Sequence, residues 1–388
     1  MITREAIREL AQFESPEGCA ISFFYQPGTP QNQSHREEAI LVKDLVRAAL
    51  KTAEKEGRNG CARDDLQRIL DLADQLHGNG GRAKAIFADA KRGVWKEFNL
   101  PAWLSGTQLI VNNRFHLRPL APVVERHPRV VVCLLDRTKA RLFAFRHDEI
   151  RELVDFFNDL PRRGRSDGWA GYDAGHAERK VANDAMQHYK FVADALLEMH
   201  DRGGLDSLVI GCRDENWNEI ESQFHPYVRQ KLSGRFRIDP ATASPEMIRE
   251  QVQLILDEHE LNRRHGLVHE VLGEAQRNAR GAIGLRRVLR SLEKGEVQTM
   301  LIGEHLKAPG SECSNCGHLG LKQHSECSIC GQETRALEDL ADAMIGNALR
   351  NGIEVVYIQN DPDFEKAGNV AALLRFRADQ NTAMKMAS

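Results

Sequence analysis

Residues 284–303 read GLRRVLRSLEKGEVQTMLIG, and residues 313–330 read CSNCGHLGLKQHSECSIC. In the first stretch, apolar residues recur every three or four positions as far as Gly295, which predicts an amphipathic helix. The run VQTMLIG that follows is mostly apolar, which predicts a buried strand. The second stretch then places two cysteine pairs directly after that strand. We therefore expect a helix and a strand of an α/β domain, decorated by a cysteine-bearing insertion.

The cysteine-bearing insertion has the ligand pattern of a structural zinc site. Two C-x₂-C pairs stand ten residues apart, and a glycine follows the second cysteine of each pair. Zinc prefers four tetrahedral ligands, and a C-x₂-C turn directs two thiolates at one ion. Two redox-active pairs or free thiols are the alternative. Four thiolates leave no open coordination position, so we expect structural Zn²⁺ bound by Cys313, Cys316, Cys327 and Cys330.

The rest of the composition indicates a globular chain without a targeting or membrane segment. No apolar run approaches the roughly 20 residues that a membrane helix needs, and MITREAIREL lacks the apolar core of a signal peptide. We therefore expect a cytoplasmic protein with no membrane partner. The net charge of −3 argues against bulk coating of nucleic acid, although local basic patches can still bind it. We expect the four cysteines outside the insertion to be ordinary reduced thiols.

Strand and helix patterns alternate along the chain, which predicts an α/β fold with largely parallel strand pairing. The chain is long enough for several domains. Composition shifts and the proline-rich segment FHLRPLAPVVERHPR, residues 115–129, place the first boundary. We expect an N-terminal α/β domain at 1–125, a middle domain at 126–258, and a C-terminal α/β domain at 259–388 with its zinc ribbon at 311–332.

The order of these elements resembles the archaeo-eukaryotic class-1 peptide chain release factors, and most of all their divergent bacterial branch. The resemblance rests on GLRRVLRSLEKGEVQTMLI with the cysteines after it, on GNVAALLRFR at residues 368–377, and on the central pieces VVVCLLD, RLFAFRH and SLVIGC. It implies a ribonuclease H-like middle domain and a C-terminal α/β domain with an inserted zinc ribbon. It covers residues 126–388 well and the N-terminal part only loosely.

The sequence departs from that family at the residues that carry out termination. In the family, Gly-Gly-Gln in the loop after the second central strand positions a water on the peptidyl ester. Here the loop reads RRGRSDGWAG, residues 162–171, with no Gly-Gly-Gln, and the Asn-Ile-Lys-Ser motif of stop-codon recognition is also absent. Peptide release at stop codons is therefore not expected.

The same loop retains the residue types that bind RNA. Arginines pair with phosphates, glycines let the backbone approach closely, and aromatic rings stack on unpaired bases. A solvated loop without a partner is the alternative. The residues expected to contact RNA are Arg162, Arg163, Arg165, Gly168, Trp169, Tyr172 and His176.

Two further groups of residues have competing interpretations. Asp173 and His176 could act as acid and base, but capping of the following helix is the simpler role for a carboxylate at that position. Glu178 and His188 belong to the same group. Arg286, Arg287 and Arg290 form a candidate basic face on one helix, for which a solvated surface is the simpler interpretation.

The resemblance and its departures together predict a binding protein that occupies the aminoacyl-tRNA site. The expected partner is the ribosome, through ribosomal RNA near that site and the peptidyl transferase centre, in hibernation or rescue of ribosomes. A translational GTPase is a partner that the resemblance alone implies. The alternatives are a peptidyl-tRNA hydrolase or nuclease acting on stalled ribosomes, and a zinc-stabilised RNA-binding protein outside translation.

Overall fold

The computed structural model describes residues 4–27, 35–55, 59–73, 76, 83–100, 106–120, 129–146, 149–157 and 174–378. The chain is a mixed α/β protein with several sheets. It divides into two compact units, one of residues 127–264 and the other of residues 1–126 together with 265–388. The division into three domains stays a prediction. Among the described residues, no helix combines the length and the apolar character that crossing a membrane requires.

The N-terminal segment forms an antiparallel sheet with strand order β3-β2-β1-β4. The first strand is buried along its whole length, because both faces of the sheet are covered. The elements of this segment are α1 (Arg4–Gln12), β1 (Ala20–Tyr25), α2 (His35–Lys55), α3 (Asn59–Leu72), β2 (Ala83–Asp89), β3 (Val94–Leu100) and β4 (Gln108–Asn112).

The middle unit contains a five-stranded sheet with strand order β7-β6-β5-β8-β9. Strands β7, β6 and β5 run antiparallel, whereas β8 and β9 continue the sheet in parallel with β5. Alternate residues of β5 face opposite sides, and each side has its own apolar core covered by helices. The elements are β5 (Val130–Leu135), β6 (Lys139–Arg146), β7 (Glu149–Phe157), α4 (Ala174–Asp201), β8 (Ser207–Cys212), α5 (Trp217–Gln223), α6 (Pro226–Arg229), β9 (Leu232–Arg237) and α7 (Pro245–Gln276).

The C-terminal segment contains a four-stranded sheet, order β10-β16-β11-β15, and a small three-stranded sheet, order β13-β12-β14, that carries the cysteines. The predicted helix and strand of residues 284–303 are confirmed. The elements are β10 (Gly281–Ile283), α8 (Leu285–Glu293), β11 (Val297–Gly303), β12 (Gly310–Cys313), β13 (Leu319–Gly320), β14 (Thr334–Leu337), α9 (Leu340–Arg350), β15 (Glu354–Ile358), α10 (Pro362–Lys366) and β16 (Val370–Leu374).

One apolar core joins the N-terminal and C-terminal segments of the chain. It packs Leu10 of α1 and Phe24 of β1 in a single cluster with Met300 of β11, Ile345 of α9 and Leu374 of β16. Two segments far apart in sequence therefore form one compact unit, which agrees with the division of the chain by contacts.

The expectation of largely parallel pairing was wrong. Strands β5 and β6 are joined by a tight turn in which the Asp136 carboxylate accepts the backbone N–H groups of Thr138 and Lys139, each at 2.7 Å. So short a connection can join only antiparallel neighbours, since parallel strands need a crossover of a dozen residues or more. The parallel pairs are β5 with β8, β8 with β9, and β11 with β15.

Three helix boundaries also differ from the sequence-based expectation. The sequence predicts one helix from residue 216 to 232, but the structure interrupts it at Pro226, where the His225 ring accepts a backbone N–H and starts a separate turn. The sequence also predicts a helix that starts at Arg335, but the helix begins at Leu340, because residues 334–337 pair with β12. A helix break that the sequence suggests at Gly266 does not occur, since α7 runs on to Gln276.

Candidate metal centre

The four cysteines of the insertion converge on one point. Their sulfur atoms all lie within 4.8 Å of one another. Individual separations are 3.4 Å between Cys313 and Cys330, 3.5 Å between Cys330 and Cys316, and 3.7 Å between Cys316 and Cys327. Each close contact joins one cysteine pair to the other, so the two pairs share a single site.

The two cysteine turns have the same backbone construction. In the first, the Gly317 N–H donates to the Cys313 carbonyl at 3.1 Å; in the second, the Gly331 N–H donates to the Cys327 carbonyl at 2.9 Å. Both glycines have a φ near +70°, the left-handed conformation in which glycine avoids the strain of a Cβ. Glycine after each second cysteine therefore closes a turn that brings two sulfurs together.

Backbone N–H groups stabilise negative charge at the first sulfur of each turn. The N–H groups of Asn315 and Cys316 both donate to Cys313 Sγ at 3.4 Å, and the Ile329 N–H donates to Cys327 Sγ at 3.4 Å. The donation from Cys316, followed by that from Asn315, lowers the pKa of Cys313 to about 6. Cys313 is thereby prepared as a thiolate, the form that binds metal.

The second cysteine of the first turn shows the opposite tendency. The N–H of His318 favours its thiolate, but desolvation and hydrogen bonds to the other three thiols raise the pKa of Cys316 to about 12. Four sulfurs this close cannot all carry negative charge by themselves. A cation at their centre would remove that repulsion.

The separations fit a tetrahedral zinc site. A Zn–S bond of about 2.3 Å gives an edge of about 3.8 Å between tetrahedral sulfurs. The three sulfur–sulfur separations of 3.4–3.7 Å lie just below this edge. All four donors are soft thiols, which favours zinc over calcium or magnesium. The cysteines would hold the ion with no coordination position left for substrate.

A buried ion cluster attaches the cysteine sheet to the rest of its unit. Glu312 precedes the first cysteine, and its side chain is only 3% exposed. One of its carboxylate oxygens pairs with Arg114 and the other with Arg335, whose Nε lies at 3.1 Å. Arg114 also pairs with Glu14 at 3.3 Å. The position of the four cysteines thus depends on a residue nearly 200 positions away.

The two histidines of the insertion are not among the converging ligands. His318 is largely covered: its Nδ1 lies 2.7 Å from a carboxylate oxygen of Glu293, at the end of α8. Its other ring nitrogen lies 3.3 Å from Ser328 Oγ in the second cysteine turn. His318 therefore connects α8 to both turns. His324 is exposed.

The predicted RNA-binding loop lies outside the described residues. This applies to Arg162, Arg163, Arg165, Gly168, Trp169 and Tyr172, and also to Asp173. His176 and Glu178 belong to the first turns of α4, but their side chains are likewise outside the description. RNA contact by these residues stays a prediction. His188 is buried in the middle unit, and burial lowers the pKa of its ring.

Sequence reasoning missed two features of the N-terminal and cysteine regions. Cys19 and Cys61, expected as separate reduced thiols, are paired as a disulfide with a Cα–Cα distance of 5.9 Å. They are 42 residues apart, and no local motif connects them. Glu312 was also missed, because its arginine partner Arg114 lies in a different segment of sequence.

Comparison with known proteins finds release factors that are similar to this chain. The profile of bacterial archaeo-eukaryotic release factor family 10 matches residues 116–255. Peptide chain release factor subunit 1 of Thermococcus onnurineus is 26% identical over 298 residues, which cover 68% of this chain and 70% of that protein. The chain is a member of the archaeo-eukaryotic release factor superfamily.

A further relative and two solved structures also align with the chain. Peptide chain release factor subunit 1 of Pyrococcus abyssi is 24% identical over 294 residues, 68% of this chain and 70% of that protein. The crystal structure of an archaeal translation termination factor aligns over 97% of this chain and 99% of its own, with 15% identity and a TM-score of 0.26. Archaeal Pelota, in a model of ribosome-bound Pelota and ABCE1, aligns over 77% and 79%, with 16% identity and a TM-score of 0.42.

Proposed function

We propose that this superfamily member is a ribosome-associated translation factor that occupies the aminoacyl-tRNA site without releasing the nascent peptide. One observation carries the proposal: the chain is similar to archaeal peptide chain release factors over two thirds of its length, yet contains no Gly-Gly-Gln. A factor that keeps the release-factor fold and lacks the glutamine of Gly-Gly-Gln would bind where release factors bind. It would leave the ester bond intact.

The loop of residues 162–172 is the proposed contact with ribosomal RNA near the peptidyl transferase centre. Its three arginines would pair with phosphates, and Trp169 and Tyr172 would stack on unpaired bases. Stacking of one base is worth about 1–3 kcal/mol. Replacing Trp169 by alanine should therefore weaken ribosome binding by about 5- to 150-fold.

The cysteine cluster is proposed to hold one structural Zn²⁺. The separations of the sulfurs and the two matching glycine turns support this, as argued above. The ion would stabilise the three-stranded cysteine sheet, which has little apolar core of its own. Its removal should unfold this sheet and leave the sheet of the middle unit intact.

The biological setting proposed is protection of idle ribosomes or rescue of stalled ones. A translational GTPase is proposed as the delivering partner, on the resemblance to release factors alone. Both are refinements of the binding role and depend on it.

Cosedimentation with ribosomes in sucrose gradients tests the binding role. Wild-type protein should comigrate with 70S particles or subunits, from growing or starved cells. The variant Arg163→Glu/Arg165→Glu should lose most of this binding. A matched control, Lys190→Glu/Arg249→Glu, makes the same charge change at two exposed helical positions and should bind normally. A wild-type protein that never comigrates would remove the proposal.

The competing role is hydrolysis or cleavage of peptidyl-tRNA. Purified protein is incubated with stalled ribosome–nascent chain complexes, and the peptidyl-tRNA is resolved on gels. An intact ester is expected. Release of peptide or cleavage of tRNA that disappears in His176→Ala would replace the binding role by an enzymatic one.

A further inference from the structure

Two arginines lie on the exposed side of α8. Arg286 and Arg290 are four residues apart and project from the same side of the helix, and Lys294 follows directly after the last residue of the helix. Arg286, Arg290 and Lys294 are exposed, and Arg287 beside them is half-buried. The opposite face carries the apolar residues that enter the core of the unit. We call these four residues the α8 basic face.

The two outer arginines of this face have no structural partner. Within the part of the chain that the structure describes, neither Arg286 nor Arg290 forms an ion pair or a hydrogen bond through its side chain. Lys294 differs, because its amino group is 4.0 Å from buried Glu296. Burial and internal pairing therefore do not account for the presence of Arg286 and Arg290.

Arg286 is also placed where it costs stability. It lies in the first turn of α8, where the helix dipole is positive and where acidic residues are favourable. A cation at that end is unfavourable, whereas an acidic residue there would stabilise the helix. The first turn contains no acidic residue, and no side chain caps it. The dipole and the guanidinium groups add to one positive potential, which attracts anions.

One acidic residue, Glu293, lies next to the face, three residues after Arg290. Glu293, near the end of α8, pairs with His318 of the first cysteine turn at 2.7 Å. This contact fixes the end of α8 against the cysteine sheet, so that the α8 basic face lies beside the metal centre.

We propose that the α8 basic face binds the phosphate backbone of RNA. Guanidinium groups suit phosphate because they donate two parallel hydrogen bonds and stay charged at all relevant pH values. The choice of RNA over other polyanions rests on the proposed function. The face provides a second RNA contact, in the other compact unit from the proposed loop, and it reads charge and not base sequence.

Salt dependence of RNA binding by the full-length protein tests this proposal. Fluorescein-labelled polyuridylate is the probe, and its dissociation constant is measured by anisotropy over a range of KCl concentrations. Each phosphate contact contributes about 0.7 to the slope of log K against log salt for a single strand. Arg286→Gln/Arg290→Gln should lower the slope by about 1.4 and weaken binding about tenfold near physiological salt.

The matched control is Lys190→Gln/Arg249→Gln, which removes the same charge from two exposed positions on α4 and α7. It should leave the slope within error of wild type. Equal slopes for wild type and the α8 variant would overturn the proposal, and so would a wild type that does not bind the RNA. A selective loss of binding to labelled polyglutamate, with RNA binding unchanged, would assign the face to an acidic protein instead.

The outcome is separable from that of the proposed function. Ribosome comigration by wild type, combined with an unchanged slope in the α8 variant, would leave the ribosomal role standing and remove only this second contact. An altered slope without any ribosome comigration would keep the RNA-binding face and remove the ribosomal role.

Discussion

Replacing Glu312 by glutamine should destabilise the unit that carries the cysteine sheet by about 3 kcal/mol. The carboxylate is buried and accepts from Arg114 through one oxygen and from Arg335 through the other. Glutamine keeps the shape but offers only one acceptor, and its NH₂ group faces a guanidinium donor. Breaking a buried ion pair costs about 3–5 kcal/mol. The arginines are about one quarter exposed and can partly rehydrate, which favours the lower figure.

Equilibrium unfolding in urea, followed by circular dichroism, measures this loss, and a colorimetric zinc assay on the same samples follows metal retention. Glu326→Gln is the control, because Glu326 is an exposed carboxylate of the same cysteine-bearing insertion. It should change stability by no more than about 0.5 kcal/mol. If Glu312→Gln proved as stable as the Glu326 variant, the buried ion cluster would not be what attaches the cysteine sheet.

Three further predictions concern other parts of the chain. Gly281→Ala should destabilise the protein by about 3 kcal/mol, because a Cβ there would overlap the backbone of α7. Gly266→Ala has open space around it and should raise the free energy of unfolding by about 0.5–1 kcal/mol; urea unfolding measures both changes. The Arg141 guanidinium lowers the pKa of Glu152, so Glu152→Gln should lower the free energy of unfolding by up to about 1 kcal/mol at neutral pH. Unfolding measured at several pH values should show this difference vanish as the pH falls below about 4, where Glu152 is protonated. Burial raises the pKa of the Cys133 thiol to about 12, so iodoacetamide should leave Cys133 unmodified in the native protein. After treatment with a chelator, the same reagent should modify the four cysteines of the insertion, and mass spectrometry distinguishes the two sets.

Local patterns predicted those features whose physical cause is local. The spacing of the four cysteines and the glycine after each pair foretold the converging sulfurs, because a C-x₂-C turn is closed within five residues. The helix and strand of residues 284–303 followed from their apolar periodicity. Strands such as VVVCLLD and SLVIGC are continuously apolar because helices cover both faces of their sheet.

Features with a non-local cause could not be predicted in this way. Residues 334–337 carry a polar, helix-compatible sequence, TRAL, and become a strand only because β12 is available as a partner. The pairing of Cys19 with Cys61 depends on how α3 packs beside the start of β1. The ion pairs of Glu312 depend on a residue in the N-terminal segment. In each case the deciding contact lies too far along the chain for periodicity or spacing to reveal it.

The core shared by the two ends of the chain dictates an order of events during synthesis. Ribosomes make about 5–20 residues per second, so Leu10 and Phe24 wait on the order of ten seconds or more before β11 and β16 emerge to cover them. The middle unit is continuous in sequence and can acquire its structure during that interval. Until the last strand appears, the N-terminal segment keeps one apolar face in water. We expect chaperones and proteases to bind the nascent chain mainly at this stage.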